Sequence, residues 1–204
     1  MTIAGRRGLA AAALATLAAA PAAHAQAQPA APSLGGPVIP GLCMLSIETM
    51  ITTSKVGVAT EARLKELATQ AQTEVDTQRR PIEAEIKAFQ TAAAGLKPED
   101  RAARQRALAT KLQPIEAVAQ QRTRELQATR VKALQRISTD AQPVIAQVYK
   151  QKNCGLLINR GSVLGGNTAN DLTAAVVQGL DAKVSTASFN REVLPAAAPA
   201  APQR

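Results

Sequence analysis

The sequence predicts a mainly helical α+β fold, in which a long antiparallel helical hairpin projects as a coiled-coil arm from a small β-containing body. Three observations predict this class. Only three of the 204 residues are aromatic and much of the 46% hydrophobic content is alanine, which disfavours a conventional globular core. Apolar residues instead recur at heptad spacing through two long segments. Short β-like runs stand before and after those segments.

The first 25 residues have the pattern of an export signal. Arg6 and Arg7 form the charged region, residues 9–20 the apolar region, and Ala23-His24-Ala25 a small-x-small cleavage site. We predict cleavage after Ala25. The alternative is a membrane anchor, but the apolar run is shorter than the ~20 residues that a spanning helix needs. No later stretch is a transmembrane segment by this criterion, so the mature chain is expected outside the cytoplasm.

Two compositionally simple segments flank the ordered part. Residues 26–40 are rich in Ala, Pro, Gly and Gln without charge or periodicity, which predicts a flexible leader, and residues 191–204 are predicted to be a disordered Ala/Pro-rich tail. Between them, 41–57 and 152–190 are assigned to the body and 58–151 to the arm.

The body is expected to begin with a short strand at 42–47. After Gly57 the spacing of the apolar residues becomes that of a helix. The first arm helix is predicted over about 58–95 by apolar residues that recur three, four and seven apart with one slip. Its seam comprises Leu64, Leu67, Ala71, Val75, Ile82, Ile86, Phe89, Ala93 and Leu96.

A break at 95–100 separates the two arm helices. Gly95 is suited to end one helix, and Pro98 with two acidic neighbours is suited to start the next. The second helix is predicted over about 99–151, antiparallel to the first. Its seam comprises Leu108, Leu112, Ile115, Ala119, Leu126, Ala133, Leu134, Ile137, Ala141, Val144 and Val148.

The motif Pro-Ile-Glu-Ala occurs once in each arm helix, beginning at Pro81 and at Pro114. Folding about the turn places these prolines opposite one another. Because an internal proline removes a helical hydrogen bond and bends the rod, we predict a shared arm kink. The alternative is that each proline ends a helix, which would give four shorter helices.

After the arm the pattern returns to short strands, one at 154–159 and a second around 162–164, followed by a closing helix at 170–180 with an Asn or Asp cap. Three short strands leave open edges and little core. The sheet is therefore expected to pair with the sheets of sister chains.

This layout resembles the Skp/OmpH family of periplasmic chaperones over about residues 42–184. The resemblance depends on the opening strand followed by Ser54-Lys55-Val56-Gly57-Val58-Ala59, on the tip at 96–101, and on the closing elements at 156–158, 163–164 and 171–174. It implies a periplasmic homotrimer whose strands build one body and whose three arms surround a cavity. That cavity would hold unfolded outer-membrane proteins without ATP. The mid-arm prolines and the two cysteines depart from the usual family pattern.

The charge is concentrated on the second arm helix. Residues 56–97 carry six basic and six acidic side chains, whereas residues 99–152 carry eleven basic and five acidic ones. This basic face could attract acidic clients or anionic lipid, including lipopolysaccharide, although a solvated surface is the alternative for each residue. Nucleic acid is not an expected partner, because the arms lack stacking aromatic residues. The candidate contacts are Arg101, Arg104, Arg106, Lys111, Arg122 and Arg124.

Cys43 and Cys154 each stand at the start of a predicted strand, one before the arm and one after it. If the strands are adjacent and parallel, an oxidising compartment would join the two thiols. We hypothesise an intrachain disulfide at the base of the arm; two buried free thiols are the alternative.

Catalytic chemistry has little support in the sequence. The only histidine, His24, lies in the predicted signal, so histidine-dependent hydrolases and His-ligated zinc sites are excluded for the mature chain. Two cysteines 111 positions apart make neither a CxxC motif nor a four-thiolate metal site, and there is no GxxxxGK[ST] nucleotide loop. We therefore expect no enzyme activity, cofactor or metal. A holdase chaperone is the first hypothesis, and a structural coiled-coil adaptor of the cell envelope is the alternative.

Overall fold

The computed structural model describes residues 34–196, and the predicted signal with its cleavage site after Ala25 lies outside this range. The elements in chain order are strand β1 (Leu42–Leu45), helix α1 (Ile47–Thr53), helix α2 (Lys55–Ala92), helix α3 (Pro98–Gln151), strand β2 (Leu156–Asn159) and helix α4 (Thr173–Lys183). The chain is mainly helical with a small two-stranded sheet, which confirms this part of the predicted fold class.

The helical hairpin is formed by α2 and α3, which are 38 and 54 residues long. A single 3₁₀ turn at Ala93–Gly95 links them, and Pro98 is the first residue of α3, followed by Glu99 and Asp100 in the first turn. Proline needs no amide partner at this position, and acidic side chains favour the positive end of a helix. The predicted turn is therefore confirmed.

The body core forms where α3, α4 and the sheet meet. Ile137, Ala141 and Val144 of α3 pack with Val176 and Leu180 of α4, and all five are at most 2% exposed. Gly179 makes this approach possible, because a Cβ there would lie 2.6 Å from Val144 Cγ1. The closing helix of the sequence analysis thus anchors the base of the arm.

Helix α1 was not predicted from the sequence. Ser46 caps it through its hydroxyl, and Ser54 caps α2 in the same way by accepting from the Gly57 amide. The junction is tight, since a Cβ at Gly57 would lie 1.6 Å from the Ile51 carbonyl oxygen. This close approach gives a physical reason for glycine in the Ser54–Ala59 stretch.

The third predicted strand, around 162–164, is wrong. Residues Arg160–Ser162 form a 3₁₀ turn, and Leu164 beyond it is 99% exposed. On one side β1 pairs in parallel with β2, beginning with Leu42 opposite Leu156. On its other side Met44 of β1 forms an isolated bridge with Asp171. Glycine and polar residues after 159 favour a turn here over a continued strand.

The two mid-arm prolines lie inside continuous helices, so neither ends its helix as the alternative reading required. Pro143 is a third internal proline, in the basal part of α3. Each has a threonine four positions earlier whose hydroxyl donates to the carbonyl one turn further back, at 2.7–3.0 Å; these are Thr77, Thr110 and Thr139. The carbonyls of these threonines face a proline that cannot donate to them, and such threonine bonds are associated with helix bending.

Candidate functional site

Three exposed arginines of the predicted set lie near the tip of the arm. Arg101, Arg104 and Arg106 lie on the first turns of α3 and are all exposed. Among the salt bridges of residues 34–196 none involves these three, and Arg101 only donates to the Leu96 carbonyl at 3.4 Å. The tip therefore presents three guanidinium groups to solvent.

The remaining predicted contacts have partners within the chain. Lys111 pairs with Glu85 of α2 at 2.5 Å, and Arg124 is partly buried and donates to Gln121. Arg122 is partly buried and lies 2.6 Å from Glu74 and 2.9 Å from Glu125, so its guanidinium group is paired within the chain. In the described part the three tip arginines and Arg124 of the predicted set are without ion partners, and only the three tip arginines are also exposed.

Two of these ion pairs define the register of the hairpin. Glu85 lies opposite Lys111, and Glu74 lies opposite Arg122. Since Pro81 falls between the two acidic residues and Pro114 between the two basic ones, the prolines lie at about the same level, as the folding of the sequence about its turn implies.

The most buried polar site of the arm was missed in the sequence analysis. Residues 184–194, called here the C-terminal segment, leave α4 at the extended Val184 and run without helix or strand along α2 and α3. Arg191 of this segment forms two hydrogen bonds with the Glu74 carboxylate, at 3.2 and 3.3 Å. Its Nε atom lies 3.1 Å from Glu125, without the alignment of a hydrogen bond. We call Glu74, Arg122, Glu125 and Arg191 the clamp.

Glu125 is the centre of the clamp and is only 2% exposed. It accepts hydrogen bonds from Arg122 at 2.9 Å and from Gln121 at 2.9 Å. A buried carboxylate needs such partners, because its desolvation is otherwise costly. The one signal in the sequence that could have revealed this site was an acidic residue, Glu125, directly beside the predicted seam residue Leu126.

The clamp lowers the pKa of both carboxyl groups. For Glu74 the hydrogen bond from Arg191 is the largest influence, and it lowers the pKa below the ordinary 4.5 despite burial. For Glu125 burial is the largest influence and raises the pKa, but hydrogen bonds from Gln121 and Arg122 outweigh it. Because both folded pKa values are lowered, the stabilisation is present above the unfolded pKa and is lost as the pH falls through the folded values.

A cavity of about 790 Å³ lies beside the C-terminal segment. Its walls include Val56 and Thr60 of α2, Ala133 and Ile137 of α3, and Phe189 of the segment itself. The segment therefore covers this face of the hairpin but leaves the cavity beside it unfilled.

At the base of the arm the structure joins Cys43 and Cys154 by a disulfide, with their Cα atoms 5.8 Å apart. Cys43 lies in β1 and Cys154 stands two residues before β2, so the parallel pairing of the strands brings the two together.

The family comparison covers most of this architecture. The model of the family "Outer membrane protein (OmpH-like)" matches residues 42–180. The chain belongs to the OmpH-like family. A crystal structure of a candidate OmpH-like outer membrane chaperone from Caulobacter crescentus is similar, with 34% identity and a TM-score of 0.68. The match covers 78% of this chain and 94% of that one. No curated protein matches significantly.

The OmpH-like match includes both strands, the whole hairpin and the disulfide, but it ends at residue 180. The C-terminal segment therefore lies beyond the part of the chain that the family model describes. Among residues 34–196 no helix combines the length and apolar character needed to cross a bilayer.

Proposed function

We propose that this OmpH-like protein is an ATP-independent holdase of the periplasm. It binds unfolded outer-membrane proteins in a cavity between helical arms and prevents their aggregation. The family match over residues 42–180 carries this proposal, since it supports a chaperone role in general. A family of outer-membrane protein chaperones implies a periplasmic location as well.

The outer arm has surfaces suited to weak, unspecific binding. Beyond the clamp the seam residues Ile82, Ile86, Phe89 and Leu112 are only partly buried. Apolar patches spread along ~27 Å of α2 beyond Glu74 give many small contacts and no single pocket. A surface of this kind can hold many sequences and release them.

We further propose that the protein is a homotrimer. The outer edge of β2 has no strand partner among the described residues, and Leu156 in β2 is 57% exposed. Open sheet edges are usually covered in stable proteins. Pairing between sister chains would cover this edge and set the arms around a shared cavity.

We propose no catalytic activity, cofactor or nucleic-acid partner. Glu83 and Glu85 lie exposed on an arm helix, and Glu85 pairs with Lys111, whereas a catalytic carboxylate needs an enclosing pocket. The three tip arginines are proposed to attract acidic client segments or anionic lipid, including lipopolysaccharide.

The test is native mass spectrometry of residues 26–204, alone and with a urea-unfolded outer-membrane barrel protein diluted into buffer. Light scattering of the same mixtures follows aggregation. We expect a trimer that takes up one client and suppresses scattering. A monomer or dimer that ignores the client would contradict the proposal and favour the adaptor hypothesis.

A pair of matched variants tests the role of the sheet edge. Leu156→Asp places a charge on the open edge of β2 and is expected to dissociate the trimer and abolish protection. Leu34→Asp makes the same change at a residue that is 74% exposed outside the sheet, and should behave as the wild type. A Leu156→Asp protein that stays trimeric would show that another surface joins the subunits.

A further inference from the structure

The C-terminal segment is held in part through its backbone. Three side chains of the hairpin bind main-chain atoms of the segment, whose own side chains are not needed for these bonds. The contacts are Arg63 Nε donating to the Phe189 carbonyl (3.0 Å), the Glu192 amide donating to Thr129 Oγ1 (2.9 Å), and Gln121 Nε2 donating to the Leu194 carbonyl (2.7 Å). Main-chain recognition of this kind accepts many sequences in extended conformation.

Two adjacent side chains of the segment also bind the hairpin. Glu192 pairs with the largely exposed Lys132 at 2.9 Å, and Arg191 supplies the more buried anchor. Arg191 binds Glu74 through a two-pronged contact and lies against the buried Glu125. Paired guanidinium–carboxylate contacts are strong and depend on arginine geometry. The groove therefore recognises an extended backbone that carries an arginine at one position.

The segment is bound loosely enough to be exchanged. None of residues 184–194 is fully buried, Val193 is 88% exposed, and the cavity of about 790 Å³ remains beside the segment. Val184 at the start of the segment packs against the body core, but no residue of the segment belongs to that core, so the clamp and the main-chain bonds hold its outer part. Regions with few buried apolar contacts open at low free energy.

We propose that this groove is a binding site for extended, arginine-containing polypeptide, occupied in cis by the protein's own C-terminal segment and opened when an unfolded client displaces it. The client half of this proposal rests on the proposed holdase function. The peptide-binding half does not, because it follows from the contacts of the segment alone.

The first experiment measures peptide binding in trans. The probe is a fluorescently labelled peptide of residues 184–194, and the proteins are wild type, Arg191→Glu and Arg130→Glu, all as the chain 26–204. Arg130 pairs with Glu61 on the opposite face of the hairpin and is more than half exposed, so it provides the same charge change away from the groove.

Arg191→Glu places a third carboxylate beside Glu74 and Glu125, so the tethered segment should leave the groove. We expect this variant to bind the peptide at least tenfold more tightly than the wild type, whose tethered segment competes at high effective concentration. Arg130→Glu should match the wild type. Adding Glu74→Gln to Arg191→Glu should weaken peptide binding at least tenfold.

Hydrogen exchange of residues 184–194 checks that the segment is released. Unchanged protection in Arg191→Glu would overturn the proposal, because the arginine would then not hold the segment. Released segment without tighter peptide binding would overturn it as well.

A second experiment adds the unfolded barrel protein. We expect it to displace the peptide from Arg191→Glu and to increase exchange of residues 184–194 in the wild type. A client that binds without either effect refutes the groove as a client site and leaves the holdase function standing. If peptide binds as expected but no protein protects the client from aggregation, the holdase function fails and the peptide site remains.

Discussion

Reduction of the Cys43–Cys154 disulfide should lower the free energy of unfolding of the body by about 4 to 5 kcal/mol. The bond joins residues 111 positions apart, so its loop contains both arm helices. On the chain-entropy model a loop of about 100 residues is worth ~4.7 kcal/mol, because the closed loop has fewer unfolded conformations. Helical structure that persists in the unfolded arm would reduce this value.

The assay is urea unfolding with and without reductant, at one fixed protein concentration because oligomers are stabilised by mass action. Tyr149 is the only tyrosine and lies five residues before Cys154, so its fluorescence reports on the base of the arm. With a urea dependence of ~2 kcal/mol per molar, the midpoint should fall by about 2 M on reduction.

The Cys43→Ala/Cys154→Ala variant is the control, and it should unfold close to the reduced wild type whether or not reductant is present. Cys43 is 2% exposed, so the variant also loses some sulfur packing and should be slightly less stable. Two reactive thiols in the denatured, unreduced protein, or a midpoint that reductant does not move, would refute the reasoning.

Three further predictions concern packing and charge. Gly57→Ala should destabilise the body by several kcal/mol in urea unfolding, because its Cβ would meet the Ile51 carbonyl oxygen; a stable variant would contradict the tight junction. Gly179→Ala should cost about 1–3 kcal/mol through contact with Val144, and Val144→Ala in the same chain should recover part of this loss in a double-mutant cycle. Arg191→Ala should lower Tm above pH 4.5, and the difference from wild type should shrink as pH falls below that value, since the two clamp carboxylates then become protonated. A difference that is constant from pH 7 to pH 3 would show that the arginine contributes by packing alone.

The hairpin could be predicted from the sequence because its signals are local. The turn depends on Gly95 and Pro98, and each helix carries its own heptad pattern. All of the predicted seam residues from 64 to 75 are buried. Helix α1 has only seven residues and its caps are two serines, Ser46 and Ser54, so it is too short to show a period.

The third strand and the tail boundary depended on long-range contacts. Val163 and Leu164 have β-propensity, but β1 takes its second neighbour from Asp171 in the loop before α4. The predicted tail began at 191, yet residues 191–194 are bound through partners more than 60 positions away. The end of the predicted leader is likewise bound by distant residues, because Asn167 donates to the Gly36 carbonyl and Asn170 to the Ile39 carbonyl. Composition cannot reveal such partners.

The C-terminal segment also explains why burial along the arm is uneven. Two packed helices bury only one stripe of each, and a third element is needed to cover the seam fully. The body and the C-terminal segment supply it as far as Glu74 and Gln121, where Leu194 is bound. No residue of α2 beyond Val75 is buried, and in α3 only Ile115 is buried before Glu125.

The arm is therefore divided at the clamp into a covered inner part and an uncovered outer part, and the mid-arm prolines lie in the outer part. Displacing the C-terminal segment would extend the uncovered part toward the body. It would uncover Thr129 and the apolar cavity wall formed by Ala133 and Ile137. It would also take Arg191 away from Glu125, which keeps Arg122 as its partner. A client that binds this surface would replace what the segment provided, which links the extent of arm covering directly to client occupancy.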